Sequence, residues 1–193
     1  MSRFILASGS PRRSKLLIEA GFHPEVVASA TAELCTDYLT PRELTVFNAL
    51  QKAFAVALLH PEAVVLGADT LVALGTKVFG KPASFAAAKE ILLELAGKSH
   101  EVITSVSVIH AAGGRVATES VHSTVAFKSL DGAAIDRYFQ LVYPLDKAGA
   151  YAAQTGATSI IERVDGSFSN VVGLPMEAVT ALLRGFGIEP GTA

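Results

Sequence analysis

One cysteine among 193 residues, Cys35, can form neither an intramolecular disulfide nor a multi-cysteine zinc site. No apolar stretch approaches the roughly 18 residues that span a bilayer. The alanine- and leucine-rich piece from Ala53 to Leu59 is too short for that and reads as a buried helix face. The opening Met1-Ser2-Arg3-Phe4-Ile5-Leu6-Ala7 lacks the long apolar core of a secretory signal and soon meets Pro11-Arg12-Arg13. A reducing cytoplasm, with no membrane partner, is the expected setting. Net positive charge is missing too: 16 Lys and Arg face 18 Asp and Glu, a formal −2. That balance excludes a protein dedicated to coating nucleic acid. With half of the residues hydrophobic and 18% charged, the chain is not a charge-solvated disordered one. Its length suits a single domain over residues 1–193, with room for two lobes.

Several catalytic signatures are absent. The five histidines (His23, His60, His100, His110, His122) stand singly, without His-x-His or His-Glu-x-x-His spacing, and are expected on solvated or strand surfaces. There is no Gly-x-Ser-x-Gly elbow, no Gly-x-x-x-x-Gly-Lys-Ser/Thr loop and no Gly-x-Gly-x-x-Gly. Serine hydrolases, P-loop nucleotidases and Rossmann dehydrogenases are therefore poor readings. The Asp-x-Asp-x-Thr pattern of a haloacid-dehalogenase nucleophile is also missing.

What is present alternates strands with helices. Phe4 to Ala7 reads as a buried strand, Ser8-Gly9-Ser10 as a break, and Ser10-Pro11 as a helix start with a capping hydroxyl and a proline at the first helical position. Pro24 to Ala28 is a second strand. Thr40-Pro41-Arg42-Glu43 is a capping box opening a helix to about Leu59. Ala63 to Ala68 is a buried strand continued by Thr70 to Leu74, with a hairpin turn at Gly75-Thr76. Ser84 to Ala96 is an amphipathic helix stopped by Gly97. Glu101 to Ile109 and Arg115 to Phe127 form a long hairpin, and Asp131 caps a helix to about Leu141. Pro144 to Thr155 is a loop, Thr158 to Val164 a strand, and Pro175 opens a terminal helix to about Arg184.

Ser8-Gly9-Ser10-Pro11-Arg12-Arg13 is the most informative segment. Small residues let backbone approach a ligand, hydroxyls donate, and a helix N-terminus favours an anion. Two arginines in the first helical turn oppose the helix dipole, which an anionic ligand with several phosphates would explain. A solvated basic turn or a Ser-Pro phosphorylation site is the competing reading. Asp69 interrupts an apolar strand, and a carboxylate there costs desolvation unless a metal, a base or a hydrogen-bond network needs it. A structural strand-end aspartate is the alternative. Glu33 lies in an irregular stretch as a second oxygen donor, Lys52 interrupts an apolar helix, and Lys81 sits in the turn Gly80-Lys81-Pro82. A simply solvated lysine is the alternative reading for each. Together these residues suit a multi-phosphate site: cations for phosphates, carboxylates for a hard divalent ion that keeps several waters.

Leu6-Ala7-Ser8-Gly9-Ser10-Pro11-Arg12-Arg13, Gly67-Ala68-Asp69-Thr70, Gly80-Lys81-Pro82, Asp146-Lys147-Ala148-Gly149-Ala150-Tyr151, Gln154 and Val172-Gly173-Leu174-Pro175 resemble the Maf family of nucleoside triphosphate pyrophosphatases, in family order and over nearly the whole chain. The resemblance implies an α/β fold with a long, twisted mixed sheet flanked by helices. It further implies two lobes around a nucleotide cleft, and often a homodimer. It implies metal-dependent hydrolysis of a nucleoside triphosphate to monophosphate and pyrophosphate, with magnesium the first expectation and manganese the second. On that model Asp69 is the general base or metal-linked water activator and Glu33 helps to hold the metal. Ser8, Arg13, Lys52 and Lys81 hold the triphosphate. Arg12, Thr70 and Gln154 match the positions that read the base and resemble the branch acting on dTTP, UTP and modified pyrimidine analogues, in a house-cleaning role. Two positions depart from the family pattern: Ala32-Glu33 replaces paired acids, and Ala49-Leu50-Gln51-Lys52-Ala53 lacks an arginine before the lysine. A nucleotide-binding regulator of cell division with little turnover is the rival function. A purine-specific enzyme of the inosine-triphosphatase fold is a weaker third reading, since it would not share the Ser-Pro-Arg-Arg opening.

Overall fold

A computed structural model describes residues 3–191; Met1, Ser2, Thr192 and Ala193, at the ends of the expected domain, lie outside the described residues. The elements are β1 (Phe4–Leu6), α1 (Pro11–Glu19), β2 (Glu25–Val26), α2 (Pro41–Ala57), β3 (Val64–Leu74), β4 (Lys77–Phe79) and α3 (Phe85–Leu95). After them come β5 (Ser99–His110), β6 (Arg115–Phe127), α4 (Gly132–Phe139), α5 (Ala157–Ile160), β7 (Ile161–Asp165), α6 (Phe168–Val172) and α7 (Met176–Gly185). The strands form a seven-stranded sheet in the order β2-β1-β3-β5-β6-β7, with β4 paired to β3. Pairing is mixed: β1 runs parallel to β2 and β3, while β3–β4 and β6–β7 are antiparallel. The fold is therefore the α/β class with a mixed sheet and flanking helices.

The chain divides into two compact units. The first holds residues up to Asp69, Thr104–Val121 and Gly173 onward; the second holds Thr70–Ile103 and His122–Val172.

In the first unit the period of two along each strand decides what faces what. Phe4 and Leu6 join Val64, Leu66 and Ala68 in a cluster with Leu17 of α1 and Val179 and Leu183 of α7. Ile5 and Ala7 join Ala63 and Val65 on the other side, with Ala53, Val56 and Ala57 of α2. A central strand buried on both faces needs an unbroken apolar run, which Phe4-Ile5-Leu6 and Val64-Val65-Leu66 supply. Each fully buried aliphatic side chain contributes about 1.5–3 kcal/mol of hydrophobic stabilisation. The alternation Ala63, Val65, Gly67 continues to Asp69, so the same rule turns the Asp69 side chain toward α2.

Helix starts follow the local signals. Thr40 and Glu43 form a reciprocal capping box, with Thr40 Oγ1 accepting from the Glu43 N–H at 3.3 Å and Glu43 Oε2 accepting from the Thr40 N–H at 2.8 Å. Asp131 accepts from the Ala134 N–H at 2.7 Å, and Ser84 from the Ala87 N–H at 3.1 Å. Ser10 differs from expectation: Pro11 does open α1, yet the Ser10 side chain makes no capping bond. Ser8 supplies the hydroxyl of this turn instead, accepting from the Ser10 N–H.

The second unit packs around Val72, Phe79, Leu92, Leu95, Ile135 and Tyr138. Three further expectations change here. The strand expected over Thr158 to Val164 begins only at Ile161, because Gly156 in a left-handed conformation (φ 65°) starts the short helix α5. The loop from Pro144 contains a 3-10 turn at Ala148–Ala150, and α6 was not expected at all. In the first unit, the strand expected over Pro24 to Ala28 shortens to Glu25–Val26. No helix among the described residues is long and apolar enough to cross a membrane.

Candidate active site

The first unit gathers Ser8, Arg13, Glu33, Lys52 and Asp69. Asp69 lies inside β3, 4% exposed, rather than at a strand end. Its placement depends on Gly67, two residues earlier on the same face. A Cβ at Gly67 would fall 2.5 Å from the Ala49 carbonyl oxygen and 2.7 Å from the Ala53 nitrogen. Glycine on the strand and alanines on the helix thus let α2 and β3 approach closely. Lys52, between those two alanines, reaches Asp69 for that reason. Its Nζ donates to Asp69 Oδ1 at 2.6 Å and to Glu33 Oε1 at 2.7 Å, with the lysine side chain only 12% exposed. This largely enclosed, doubly paired ammonium differs from a solvated lysine.

Burial raises the Asp69 pKa above the ordinary carboxylate range; Lys52, by charge and hydrogen bond, and then the Arg13 charge pull it back without cancelling the shift. Arg13 is seated from several sides. Its Nε donates to the Gly173 carbonyl at 2.9 Å, and Nη1 donates to the Ala68 carbonyl at 2.9 Å and to Ser8 Oγ at 3.1 Å. Desolvation lowers the guanidinium pKa and the Asp69 charge opposes that shift. The backbone N–H of Ser10 also donates to Ser8 Oγ, at 3.3 Å. Ser8 accepts in both contacts, so its hydroxyl retains a hydrogen to donate.

The carboxylates Glu33 and Asp69 meet the same ammonium, so their facing oxygens stand no further apart than those two bonds laid end to end. Among the described residues there is no group of three or more His, Cys, Asp or Glu that would cage a metal unaided. Two convergent carboxylates, one buried and one half-exposed, fit a cation such as magnesium, which takes most of its ligands from water and substrate phosphate.

The remaining expected residues are placed as follows. Arg12 is half-buried in the first turn of α1, in the first unit. Thr70 follows Asp69 along β3 and belongs to the second unit, where it is half-buried. Lys81 is exposed in the segment after β4, and Gln154 is exposed after the 3-10 turn. In the second unit the Gly149 N–H donates to the Gly80 carbonyl at 3.2 Å, tying the Gly80-Lys81-Pro82 turn to the Asp146-to-Tyr151 segment. Gly149 has φ 67°, and a Cβ there would sit 2.8 Å from Val72 Cγ2, so glycine is required at this contact.

Two features escaped the sequence reading. Asn48 is buried at 2% exposure on the face of α2 that carries Lys52. The signal was the spacing Thr45, Asn48, Lys52: polar groups at i, i+3 and i+7 on an inward helical face. His100 was expected on a surface but is 2% exposed, with Nε2 2.8 Å from the Tyr151 hydroxyl and its ring edge-on to Phe127. Burial depresses its pKa to about 4.

The fold and this cluster define a class: an α/β protein whose sheet carries a buried carboxylate beside a fixed lysine, arginine and donor hydroxyl. A family model described as Maf-like protein matches residues 3–186, and the chain belongs to that family. It is 40% identical over 189 residues to a Bacillus cereus (strain Q1) protein named dTTP/UTP pyrophosphatase, covering 98% of each chain. It is 43% identical over 190 residues to a Desulforamulus reducens protein of the same name, covering 98% of this chain and 99% of the other.

Proposed function

We propose that this protein is a nucleoside triphosphate pyrophosphatase acting on dTTP, UTP and modified pyrimidine analogues, with release of the monophosphate and pyrophosphate in nucleotide house-cleaning. The Lys52 ammonium held between Asp69 and Glu33, with the Ser8 hydroxyl and the Arg13 charge seated nearby in the same unit, carries the reading. The names of its relatives support the substrate class.

In the proposed reaction the phosphates receive the Ser8 hydroxyl hydrogen and the charges of Arg13, Lys52 and Lys81. Positioning and charge neutralisation of this kind supply most of the catalysis in reactions at phosphorus. Asp69 takes a proton from the attacking water, and its raised pKa brings it closer to a useful general base at neutral pH. The water oxygen forms the new P–O bond, and the bridging P–O bond between the α- and β-phosphates breaks. A divalent cation held by Asp69 and Glu33, magnesium or else manganese, would supply Lewis-acid neutralisation of phosphate charge. Arg12, Thr70 and Gln154 are assigned to the base. The cytoplasmic setting and the homodimer belong to the same proposal. Along α2 and its C-cap residue, Phe47, Leu50, Phe54 and Leu58 recur at helical spacing with 44%, 36%, 51% and 61% exposure. A second copy pairing through this face would take these apolar side chains out of water.

Asp69→Asn tests the assignment. The variant is expected to bind dTTP while turnover falls at least about 100-fold, within the range for loss of a general base. Near-full hydrolysis by the variant would overturn the role of Asp69. Binding without turnover by the unaltered protein, across several metals, would point to the regulator.

A further inference from the structure

Asn48 is a buried polar side chain on α2 to which neither phosphate binding nor proton transfer assigns a task. Its carboxamide meets one residue of the irregular segment in both directions. Oδ1 accepts from the Leu34 N–H at 2.8 Å, and Nδ2 donates to the Leu34 carbonyl at 3.1 Å. A donor and an acceptor offered together to one residue's backbone mimic a sheet pairing, which fixes both the position and the direction of that backbone. Nδ2 also lies 3.4 Å from Asp69 Oδ2, at the outer limit of a hydrogen bond. Residues 27–36 contain no helix or strand, and Glu33 is exposed. An exposed carboxylate on such a segment would ordinarily sample many positions unless the backbone beside it is held. Burying a carboxamide is costly unless it is paired. Here the pairing falls on the residue next to Glu33.

We infer that Asn48 is a positioning residue for the proposed hydrolysis: by docking Leu34 onto α2 it holds the Glu33 carboxylate beside Lys52 and Asp69. The inference rests on the proposed role of that cluster. Asn48→Leu removes both bonds with a side chain of similar reach and a good helix propensity. Asn48→Asp keeps the shape and an acceptor for the Leu34 N–H but sets an oxygen against the Leu34 carbonyl, and it replaces the leucine variant should that one not fold.

The test combines amide hydrogen exchange with kinetics. In the variant the Leu34 amide is expected to exchange about ten-fold faster, the effect of losing one hydrogen bond, while amides within α2 keep their protection. With dTTP, kcat is expected to fall about ten-fold or more with KM within about two-fold. In a Glu33→Gln background the same substitution should change kcat by less than about two-fold, because the group it positions is gone. Equal losses in both backgrounds, or an unchanged Leu34 amide, would overturn the inference. A wild type without turnover defeats the proposed function instead, and Leu34 exchange then decides the docking on its own.

Discussion

Replacing Gly67 by alanine probes the contact that brings the site together. The new Cβ would stand 2.5 Å from the Ala49 oxygen, 2.7 Å from the Ala53 nitrogen and 2.8 Å from the Ala53 Cβ, where ordinary contact begins near 3.4 Å. Two of those atoms are helix backbone and cannot swing aside. On the strand, Leu66 and Ala68 are fully buried, so β3 has no free direction of retreat. Relief requires α2 and β3 to separate by roughly 1 Å, with loss of contacts along Ala49, Ala53 and Ala57. Overpacking of this kind costs about 1–3 kcal/mol. Lys52 sits between the two clashing alanines, so the same displacement lengthens its 2.6 Å bond to Asp69. A misplacement of about 1 Å in a catalytic constellation can cost on the order of 100-fold in rate. Urea denaturation should therefore report the stability loss, and dTTP hydrolysis a fall of between ten- and 100-fold. Gly185→Ala is the control, since its Cβ would meet nothing within 4 Å and it lies outside the proposed site. Unchanged stability and activity in Gly67→Ala would refute the claim that this close approach sets the site.

His100, neutral in its buried pocket with a pKa of about 4 against 6.5 when unfolded, makes stability depend on acid. Between those values the unfolded chain binds the proton and the native state does not, so stability is lost as pH falls through that window, by about 3 kcal/mol in full. Urea midpoints at pH 7 and 4.5 should diverge in the wild type and less so in His100→Gln; equal divergence would contradict the assignment. Asp69 acts in the opposite sense. Its raised folded pKa means that the native state keeps the extra proton, so its contribution is present below the unfolded pKa and lost as pH rises through the folded value. The stability of wild type relative to Asp69→Asn, measured without metal, should fall as pH rises through that window, and a rise would be incompatible with it.

Much of this arrangement was legible before any coordinates. The apolar runs of β1 and β3, the Thr40-to-Glu43 capping box and the Ser-Pro-Arg-Arg turn are local signals with local causes. Asp69 stood out because a carboxylate in an apolar strand demands an explanation. Lys52 stood out by interrupting an apolar helix, with a solvated lysine as the alternative; its pairing with Asp69 was hidden, because that depends on Gly67, Ala49 and Ala53 meeting across two elements. Asn48 was hidden for the same reason, its partner being the backbone of Leu34. The Thr158-to-Val164 segment misled because its β-branched residues favour extended backbone, whereas Gly156 and the Ser159 N–H donating to its carbonyl at 3.0 Å turn the chain into a short helix first. His100 was misjudged because the aromatic pocket of Phe127 and Tyr151 comes from residues far along the chain.

The most direct test of the central claim is to incubate the purified protein with magnesium and a panel of nucleoside triphosphates, 7-methyl-GTP included, and to identify the products. Monophosphate and pyrophosphate from dTTP and UTP is the predicted result. The same products from 7-methyl-GTP alone would contradict the assignment of Arg12, Thr70 and Gln154, and release of inorganic phosphate with a nucleoside diphosphate would contradict the reaction itself.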